Sequence, residues 1–298
     1  EIASCLVGSE MCIRDRIIGA GAAGCLCAVL CARGGERVTL LEKNEKTGKK
    51  LFITGKGRCN VTADYPPDEF LSGVVHGEKF LRSAIYSFTP ENTKEFFRDL
   101  GVELVTERGN RVFPASGKSS DITRAFDRAL KAAGVDVKLD SEVKSVKFEN
   151  KVFKVLTADG KEYTADNVVV ATGGKSYPAT GSTGDGYEIA KSFGHTVVKP
   201  VPSLASLFTE ESVRELCGIS LKNVTLSAVT ADGKRLGGKF GEMLFTDRGL
   251  SGPVALTLST ELNRVSGAVL HLDLKPALSH EKLEARIPVS YTHLRAHE

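Results

Sequence analysis

A length of 298 residues predicts about two domains. Hydrophobic residues make up 41% and charged residues 26% of it, a composition typical of globular proteins and not of disordered or fibrous ones. Forty basic residues against 37 acidic ones give a net charge of +3, which is too small to predict a nucleic-acid or membrane partner. The apolar runs are shorter than the roughly 20 residues of a transmembrane helix, and no secretion signal is visible.

The seven cysteines follow neither the pattern of a disulfide framework nor that of a zinc site. Their number is odd, no CxxC pair occurs, and Cys25, Cys27 and Cys31 crowd one segment. Cys27 and Cys31 share one face of a predicted helix, so a metal pair is the alternative to small side chains that pack in a core. We expect the packing role, no bound metal, and a reduced, cytoplasmic protein.

Both ends of the chain fit poorly with the sequence that they flank. Residues 5–16 (CLVGSEMCIRDR) and 289–298 (VSYTHLRAHE) show neither helical nor strand periodicity, and they resemble translated sequencing-adapter read-through. We therefore expect residues 1–15 and 288–298 to be non-native. A native loose tail at each end is the alternative.

The first motif, residues 19–24 (GAGAAG), is a complete G-x-G-x-x-G. A helix of small residues is predicted over about Ala22–Arg33, followed by an apolar strand over Arg37–Leu41 that ends at Glu42. Strand, glycine turn, helix and strand together form the first βαβ unit of a dinucleotide-binding domain. Only Ile17 and Ile18 remain of the apolar strand that should precede the motif, and we expect the start of that strand to have been replaced.

Each glycine of the motif has a physical role in such a unit. Gly19 permits the tight turn, Gly21 lets the backbone approach a pyrophosphate, and Gly24 lets helix and strand pack closely. Glu42 is placed to accept hydrogen bonds from an adenosine ribose, and its charge repels the 2′-phosphate of NADP. FAD and NAD remain as candidate cofactors.

A basic, glycine-rich segment after Glu42 favours FAD over NAD. A nicotinamide-binding unit would continue directly into its next helix and strand, whereas residues 43–60 (KNEKTGKKLFITGKGRCN) form a loop that can cradle a second anionic stretch of cofactor. For Lys46 and Lys49, a solvated surface is an equally good interpretation. Residues 54–60 would make a poor surface turn, because two glycines stand beside Arg, Cys and Asn.

A β-meander and a second glycine-rich segment follow. Strands are predicted near residues 142–148, 151–157 and 162–164, and then the run 168–174 reads VVVATGG. A strand that ends in Ala-Thr-Gly-Gly allows a second close approach of backbone to a cofactor. Residues 180–187 (TGSTGDGY) then open a helix that extends to about Phe193, with Asp185 as its N-cap. A plain capped loop is the alternative for this last segment.

These motifs resemble the HI0933-like flavoprotein family, also called the BaiN/RdsA or aminoacetone-oxidase-like family, which has the glutathione-reductase-type FAD fold. The matching stretches lie between residue 17 and about residue 287, and they are GAGAAG (19–24), TLLEKNEKTGKKLFITGKGRCNVT (39–62), VVVATGGKSYPATGSTGDGYEIAKSFGH (168–195), PSLASL (202–207) and GEMLFTDRGLSGP (241–253). The resemblance implies an α/β fold. A Rossmann-like FAD/NAD(P)-binding domain with a β-meander would cover residues 16–197, and an incomplete β-rich insert would cover residues 198–287.

The chain departs from the family pattern in two respects. Asp247 stands where several relatives carry His, so no histidine role transfers to that position. The family also continues past residue 287 with a glycine-rich segment that returns to the FAD domain and closes over the flavin. We therefore expect the FAD domain of this chain to be truncated.

The resemblance implies hydride transfer between FAD and a small organic substrate, with NAD(P)H or oxygen as the second partner. It places the glycines on the pyrophosphate, Lys43 and Lys50 in the adenosine and phosphate region, and Val143 on adenine through its backbone. No catalytic acid or base is assigned, because none of the six histidines sits in an acid–base arrangement. The residues assigned to cofactor binding are Gly19, Gly21, Ala22, Ala23, Gly24, Glu42, Lys43, Lys50, Gly57, Arg58, Cys59, Asn60, Val143, Ala171, Thr172, Gly173 and Gly174.

Two other functions stay open at this point. Flavoproteins that modify tRNA share this FAD domain, but a net charge of +3 and the lack of a basic–aromatic stripe count against an RNA partner. The second alternative is that the chain is an inactive fragment of the flavoenzyme. We expect a small-molecule substrate, no nucleic-acid or membrane partner, and leave the oligomeric state open.

Overall fold

The computed structural model describes residues 13–265, 267–279 and 281–286. Most of the two ends that we expected to be non-native therefore lies outside the described residues. The chain divides into two compact units at residues 198 and 199, where the sequence predicted a boundary at 197 and 198. Each unit is described by itself below.

The first unit contains most of the helices and strands. A short 3₁₀ turn covers Pro178–Thr180. In chain order the other elements are β1 (Arg14–Ile18), α1 (Ala22–Arg33), β2 (Arg37–Leu41), α2 (Lys49–Gly57), β3 (Thr62–Ala63), α3 (Pro67–Ser72), α4 (Glu78–Ser87), α5 (Pro90–Asp99), β4 (Leu104–Glu107), β5 (Arg111–Pro114), α6 (Ser119–Ala132), β6 (Asp136–Lys138), β7 (Val143–Glu149), β8 (Val152–Thr157), β9 (Glu162–Ala165), β10 (Asn167–Val170) and α7 (Asp185–Ser192).

A parallel sheet with the strand order β6-β2-β1-β10 forms the centre of this unit. Its inner strands are β1 and β2, where Ile17 and Leu40 are fully buried. Helix α1 packs in the same core through Cys25, Ala28 and Val29, whose small volumes let the helix lie close to the strands. This strand order, with a helix between β1 and β2, is that of a Rossmann-like domain. The predicted fold class is confirmed.

Strand β1 begins at Arg14, two residues before the predicted domain start. Arg14 pairs in register with β2, and Asp15 pairs with both β2 and β10, although both residues belong to the stretch that we expected to be non-native. The Arg14 guanidinium Nε donates to Asp166 Oδ2 at 3.1 Å, and Asn167 Nδ2 donates to Asp15 Oδ1 at 3.0 Å. Polar pairs therefore hold the first half of β1, whereas apolar burial holds the second half.

Two antiparallel sheets complete the unit, with the orders β3-β5-β4 and β7-β8-β9. The second of these is the meander, and its strands lie within one residue of their predicted bounds. Val146 and Val155 pair across it and are buried together with Ile18, Leu41 and Ile189. The meander thus packs against the ends of β1 and β2, which brings its first strand to the same edge of the parallel sheet.

The second unit contains an antiparallel sheet with a helix packed against it. Its apolar core contains Leu226, Met243 and Leu258, all almost fully buried. Its elements are β11 (Leu207–Phe208), a 3₁₀ turn (Arg214–Leu216), β12 (Ser220–Thr230), β13 (Arg235–Thr246), β14 (Gly249–Ser251), α8 (Pro253–Leu262) and β15 (Ala268–Asp273). The strands pair in the order β11-β14-β13-β12-β15. Within the described ranges, no helix combines the length and the apolar character needed to cross a membrane.

Candidate cofactor site

A cavity of about 660 Å³ lies where three strands of the parallel sheet end. Strands β1 and β10 flank the point where the strand order reverses, and open α/β sheets bind their ligands at such a point. The volume is within the range of small-molecule and cofactor sites. All of the lining residues belong to the first unit. Those at the strand ends are Ile18, Gly19, Leu41, Glu42, Val170 and Ala171.

Residues 19–24, which form the turn after β1 and the start of α1, border the cavity and are called the glycine turn below. A Cβ on Gly24 would lie 1.8 Å from the carbonyl oxygen of Gly19. Gly19 itself has φ +100°, and a Cβ there would lie 2.7 Å from the carbonyl oxygen of Ala171. At Gly21, by contrast, an added Cβ would meet no described atom within 4 Å. Two glycines are therefore required by packing, and the third leaves space for a ligand against the backbone.

Helix α1 begins at the glycine turn, and no described side chain caps its N-terminus. Its first residues, Ala22 and Ala23, are exposed and line the cavity. The first N–H groups of an α-helix have no partner within the helix, and the helix dipole adds partial positive charge there. This end of α1 is therefore suited to an anionic group such as a phosphate.

Glu42, at the end of β2, is only 7% exposed but keeps one oxygen available to a ligand. Its Oε2 accepts the Ala20 N–H at 2.7 Å, whereas its Oε1 accepts both the backbone N–H and the side-chain amide of Asn44, at 2.9 and 2.5 Å. A carboxylate oxygen accepts two hydrogen bonds, so Oε2 has one position left. The buried carboxylate can therefore receive a hydroxyl group from the cavity.

Lys43 connects the segment after β2 to the start of α7. Its ammonium donates to Thr183 Oγ1 at 2.6 Å and to Asp185 Oδ2 at 2.7 Å. Burial raises the pKa of Asp185, but hydrogen bonds from Lys43 and Thr183 outweigh this effect, so the pKa of Asp185 lies below its ordinary value.

The sequence predicted Asp185 as the N-cap of α7. The structure instead has Gly184 at the cap and Asp185 as the first helical residue, because the carboxylate is directed to Lys43.

Two further side chains hold the loop of residues 173–184, called the clasp loop below. The Lys50 ammonium donates to the carbonyl oxygen of Ser176 at 2.8 Å and to Ser182 Oγ at 2.5 Å. The Asn44 amide donates to the carbonyl oxygen of Thr180 at 3.3 Å. Together with Lys43, these side chains attach the clasp loop to the wall of the cavity formed by the segment after β2.

The backbone after β10 forms another wall. Ala171, Thr172 and Gly173 line the cavity, and the Ala171 N–H donates to the carbonyl oxygen of Ile18 at 2.8 Å. Gly174 is not among the lining residues. A Cβ on Gly174 would lie 3.2 Å from the hydroxyl of Tyr187.

Two other segments close the remaining sides of the cavity. Val143, the first residue of β7, lines it together with Ser141. Thr54, Asn60 and Val61 line it from the segment that follows the first half of α2. The structure therefore brings Asn60 and Val143 to the same cavity as the glycine turn.

Three of the residues assigned from the sequence lie outside the lining, in or just after α2. Gly57 has φ +82° and faces open space. Arg58 forms an ion pair with Glu107, and its guanidinium lies 4.3 Å from the centre of the Phe113 ring. Cys59 is 1% exposed, and burial raises the pKa of its thiol to about 11. Gly24 also lies outside the lining, where it packs on the glycine turn.

Several lining residues were not assigned from the sequence. Asn44 stands two positions after Glu42, and this closeness to an assigned carboxylate was the one signal that could have found it. Others stand inside motifs already described, such as Ala20 in residues 19–24 and Thr180 in residues 180–187. The lining residues not assigned from the sequence are Ile18, Ala20, Leu41, Asn44, Lys49, Leu51, Thr54, Val61, Ser141, Val170, Thr180, Gly181, Ser182, Asp185 and Ile189.

The cysteines of α1 lie away from the cavity lining. Cys25 is fully buried, and burial raises the pKa of its thiol to about 12. The sulfur atoms of Cys27 and Cys31 are 3.9 Å apart, and both side chains pack against the apolar core. Among the described residues, no group of three or more His, Cys, Asp or Glu side chains could hold a metal ion.

The amino-acid sequence of this chain matches a known protein family. The HI0933-like protein Rossmann domain matches residues 14–258, which is most of the chain. The chain belongs to the HI0933-like family. The predicted family is confirmed, and the match includes Arg14 and Asp15 of β1.

Relatives of this HI0933-like chain include two curated enzymes. The 3-dehydro-bile acid delta(4,6)-reductase of Clostridium scindens is 36% identical over 198 residues, which cover 65% of this chain and 47% of the relative. The ribosomal RNA dihydrouridine synthase of Haemophilus influenzae is 34% identical over 250 residues, which cover 82% of this chain and 60% of the relative. The chain thus spans about half to three fifths of the curated relatives that it matches.

A solved structure supports the fold of this family member. The open conformation of a flavocytochrome c3 fumarate reductase superposes with a TM-score of 0.50 at 22% sequence identity, covering 72% of this chain and 48% of the other. At this identity the likeness concerns the fold alone, and it agrees with the Rossmann-like arrangement described above.

Proposed function

We propose that this chain is the FAD-binding part of a flavin-dependent oxidoreductase that acts on a small organic substrate. The observation that carries the proposal is the uncapped N-terminus of α1, which faces the same cavity as the buried carboxylate of Glu42. An anion site beside a carboxylate acceptor matches the pyrophosphate and the ribose of an adenine dinucleotide. The membership of the HI0933-like family and the reductase from Clostridium scindens support this function.

The residues present fit FAD. The open space at Gly21 lets a pyrophosphate approach the backbone, and the free position on Glu42 Oε2 accepts a ribose hydroxyl. Lys50 adds positive charge beside the phosphates, since its partners Ser176 and Ser182 are neutral. Backbone atoms at Val143 would contact the adenine.

The chemistry that FAD supplies when bound is hydride transfer. This chain contributes the binding energy and the orientation of the adenosine half, through α1, Glu42 and the clasp loop. NAD(P)H or oxygen is the proposed second partner, because the flavin must be returned to its starting state after each turnover. The name of the bile-acid reductase favours an apolar, carbonyl-containing substrate class.

The test begins with FAD binding by the purified chain, measured by quenching of flavin fluorescence. We expect the wild-type chain to bind FAD, and Glu42→Gln to weaken binding at least about tenfold, or about 1.4 kcal/mol. The control is Glu69→Gln, which removes an exposed carboxylate on α3. A colourless wild-type chain that takes up no FAD would contradict the proposal. Equal binding by Glu42→Gln would contradict the ribose role.

Electron transfer is tested separately under anaerobic conditions. NADH and NADPH are each mixed with the FAD-loaded chain, and the loss of the oxidised flavin absorbance is followed. Reduction by either nucleotide supports a nicotinamide partner. If neither reduces the flavin but a reduced flavin is reoxidised rapidly by oxygen, the second partner is oxygen.

A second candidate function is reduction of a base in RNA. The relative named ribosomal RNA dihydrouridine synthase covers 82% of this chain, and this observation favours it over the tRNA enzymes considered from the sequence. The two functions differ in the salt dependence of RNA binding. Several phosphate contacts would make log Kd change steeply and linearly with log salt concentration. Such a slope, measured with ribosomal RNA, would replace the small-molecule proposal.

A further inference from the structure

We propose that Asn44 is a positioning residue, which holds the Glu42 carboxylate in the orientation that an adenosine ribose requires. The inference rests on the proposed function, because the ribose belongs to FAD. It goes further because it states that one neutral side chain determines which of the two Glu42 oxygens receives the ribose hydroxyl. Asn44 touches the carboxylate and the clasp loop, and its effect on the cofactor is exerted through them.

The argument starts from the unequal use of the two oxygens of Glu42. Oε1 accepts two hydrogen bonds from Asn44, one from its backbone at 2.9 Å and one from its side chain at 2.5 Å. Oε2 accepts a single hydrogen bond, from the backbone of Ala20 at 2.7 Å. Because each oxygen accepts two hydrogen bonds, Oε1 is saturated and Oε2 is not. Asn44 therefore directs any hydroxyl from the cavity to Oε2.

The amide of Asn44 is itself held in one orientation. Its nitrogen faces the oxygen atoms of Glu42 and Thr180, whereas its oxygen faces the ammonium group of Lys49 at 3.4 Å. The opposite orientation would place the amide nitrogen against the ammonium and the amide oxygen against two acceptors. The backbone is fixed as well, since the Asp140 N–H donates to the Asn44 carbonyl at 3.1 Å. The donor to Oε1 is thus placed before any ligand binds.

The same amide couples the carboxylate to the clasp loop. It donates to the carbonyl oxygen of Thr180 at 3.3 Å. A Cβ on Gly181 would lie 2.5 Å from the Asn44 amide nitrogen, so glycine at that position is what allows the approach. One side chain therefore spans from the ribose acceptor to the loop on the other side of the cavity.

The chemistry of the position explains why a neutral donor is required. Glu42 is only 7% exposed, and a second carboxylate at this distance would repel it strongly in a buried site. Asn44→Asp keeps the shape of the side chain but removes its donor while it is ionised. Once the introduced carboxyl is protonated, it can donate to Oε1 again. The substitution therefore predicts a loss of binding that is reversed by acid, which loss of packing alone does not predict.

The experiment compares the wild-type chain of 298 residues with Asn44→Asp over a range of pH, using FAD and AMP as probes. At neutral pH we expect Asn44→Asp to weaken the binding of both FAD and AMP at least about tenfold. The ratio of its Kd to that of the wild type should return towards one as pH falls into the carboxyl range. Other charged groups around position 44 are Glu42, Lys43, Lys49, Asp140 and Asp185. They are present in both proteins, so the ratio of the two Kd values reports on the substitution at position 44.

Two further variants keep the test decisive. Asn150→Asp adds the same charge in the exposed turn between β7 and β8, and it should bind both probes like the wild type. Asn44→Ala keeps the backbone donor and should weaken binding about threefold, with no recovery in acid. It also gives a result if Asn44→Asp does not fold.

The outcomes separate the inference from the proposed function. If the wild type binds FAD and AMP but Asn44→Asp binds them equally well, Asn44 has no positioning role. A weakening that is the same at every pH would likewise overturn the inference, because it indicates a structural effect. If the wild type binds neither probe, the proposed function itself is wrong.

Discussion

The glycine turn and the clasp loop border the same cavity, but different forces hold them in place. In the glycine turn, backbone packs directly on backbone, as in the close approach of Gly24 to the Gly19 carbonyl oxygen. In the clasp loop, side chains from the segment after β2 provide the contacts, between 126 and 140 positions away in the sequence. One wall of the site is therefore specified locally, and the other depends on the assembled fold.

This difference has a consequence for how each wall responds to substitution. A methyl group added to tightly packed backbone has no flexible neighbour that can move aside, so the effect falls on folding. A side-chain hydrogen bond that is lost at the partly exposed clasp loop is largely replaced by water, so the effect is small. The same number of altered atoms should thus produce unequal effects at the two walls.

The largest expected effect is that of Gly24→Ala in the glycine turn. The new Cβ would lie 1.8 Å from the Gly19 carbonyl oxygen, so the backbone must shift to accommodate it. We expect the free energy of unfolding to fall by about 3 kcal/mol, measured by urea denaturation. A wild-type midpoint for this variant would show that the glycine turn is not held by backbone packing.

An intermediate effect, on binding and not on folding, is expected for Gly21→Ala. Gly21 has φ −80°, which alanine adopts freely, and its Cβ would meet no described atom within 4 Å. The free energy of unfolding should change by less than about 0.5 kcal/mol. FAD binding should weaken at least about tenfold, because in the proposed binding mode the methyl group would occupy the space of the pyrophosphate. Unchanged FAD affinity would mean that the pyrophosphate does not approach this turn.

The smallest effect is expected where the clasp loop meets α7, from Asp185→Asn. The folded pKa of Asp185 lies below its ordinary value, so its ion pair with Lys43 stabilises the protein above the unfolded pKa. That contribution is lost as pH falls through the folded pKa. Wild type and variant should differ by about 1 kcal/mol or less at neutral pH, because the pair is partly exposed, and should converge in acid. Urea denaturation between neutral pH and about pH 3 measures this, and parallel pH profiles would rule out the ion pair as the cause.

The part of the site that could be predicted from sequence is the part with local causes. The order of Gly19, Gly21, Gly24 and Glu42 follows from the geometry of a single βαβ unit, and each of these residues lies in or directly beneath the cavity wall. Helix α1 has the predicted bounds Ala22–Arg33 for the same reason. No long-range information is needed for these features.

The remaining features depend on contacts that no local pattern contains. The sequence assigned Arg58 and Cys59 to cofactor binding, but Arg58 pairs with Glu107, almost 50 positions away, and Cys59 is enclosed by the core. Asn44 was missed because its amide acquires its role only when the clasp loop reaches it. Strand β1 also begins earlier than predicted, since Asp166 and Asn167 of a distant segment supply partners for its polar residues.

The neutral partners of Lys50 have a consequence for ligand capture. Among the described cations that line the cavity, Lys43 and Lys49 are each paired with a carboxylate, whereas Lys50 binds a carbonyl and a hydroxyl. Its positive charge is therefore not cancelled locally, and it adds to the field at the entrance of the site. Such a field raises the encounter rate of anionic molecules, and dissolved ions screen it over roughly 10 Å at 0.1 M ionic strength. The association rate of a phosphate-bearing ligand with this protein should thus fall as ionic strength rises.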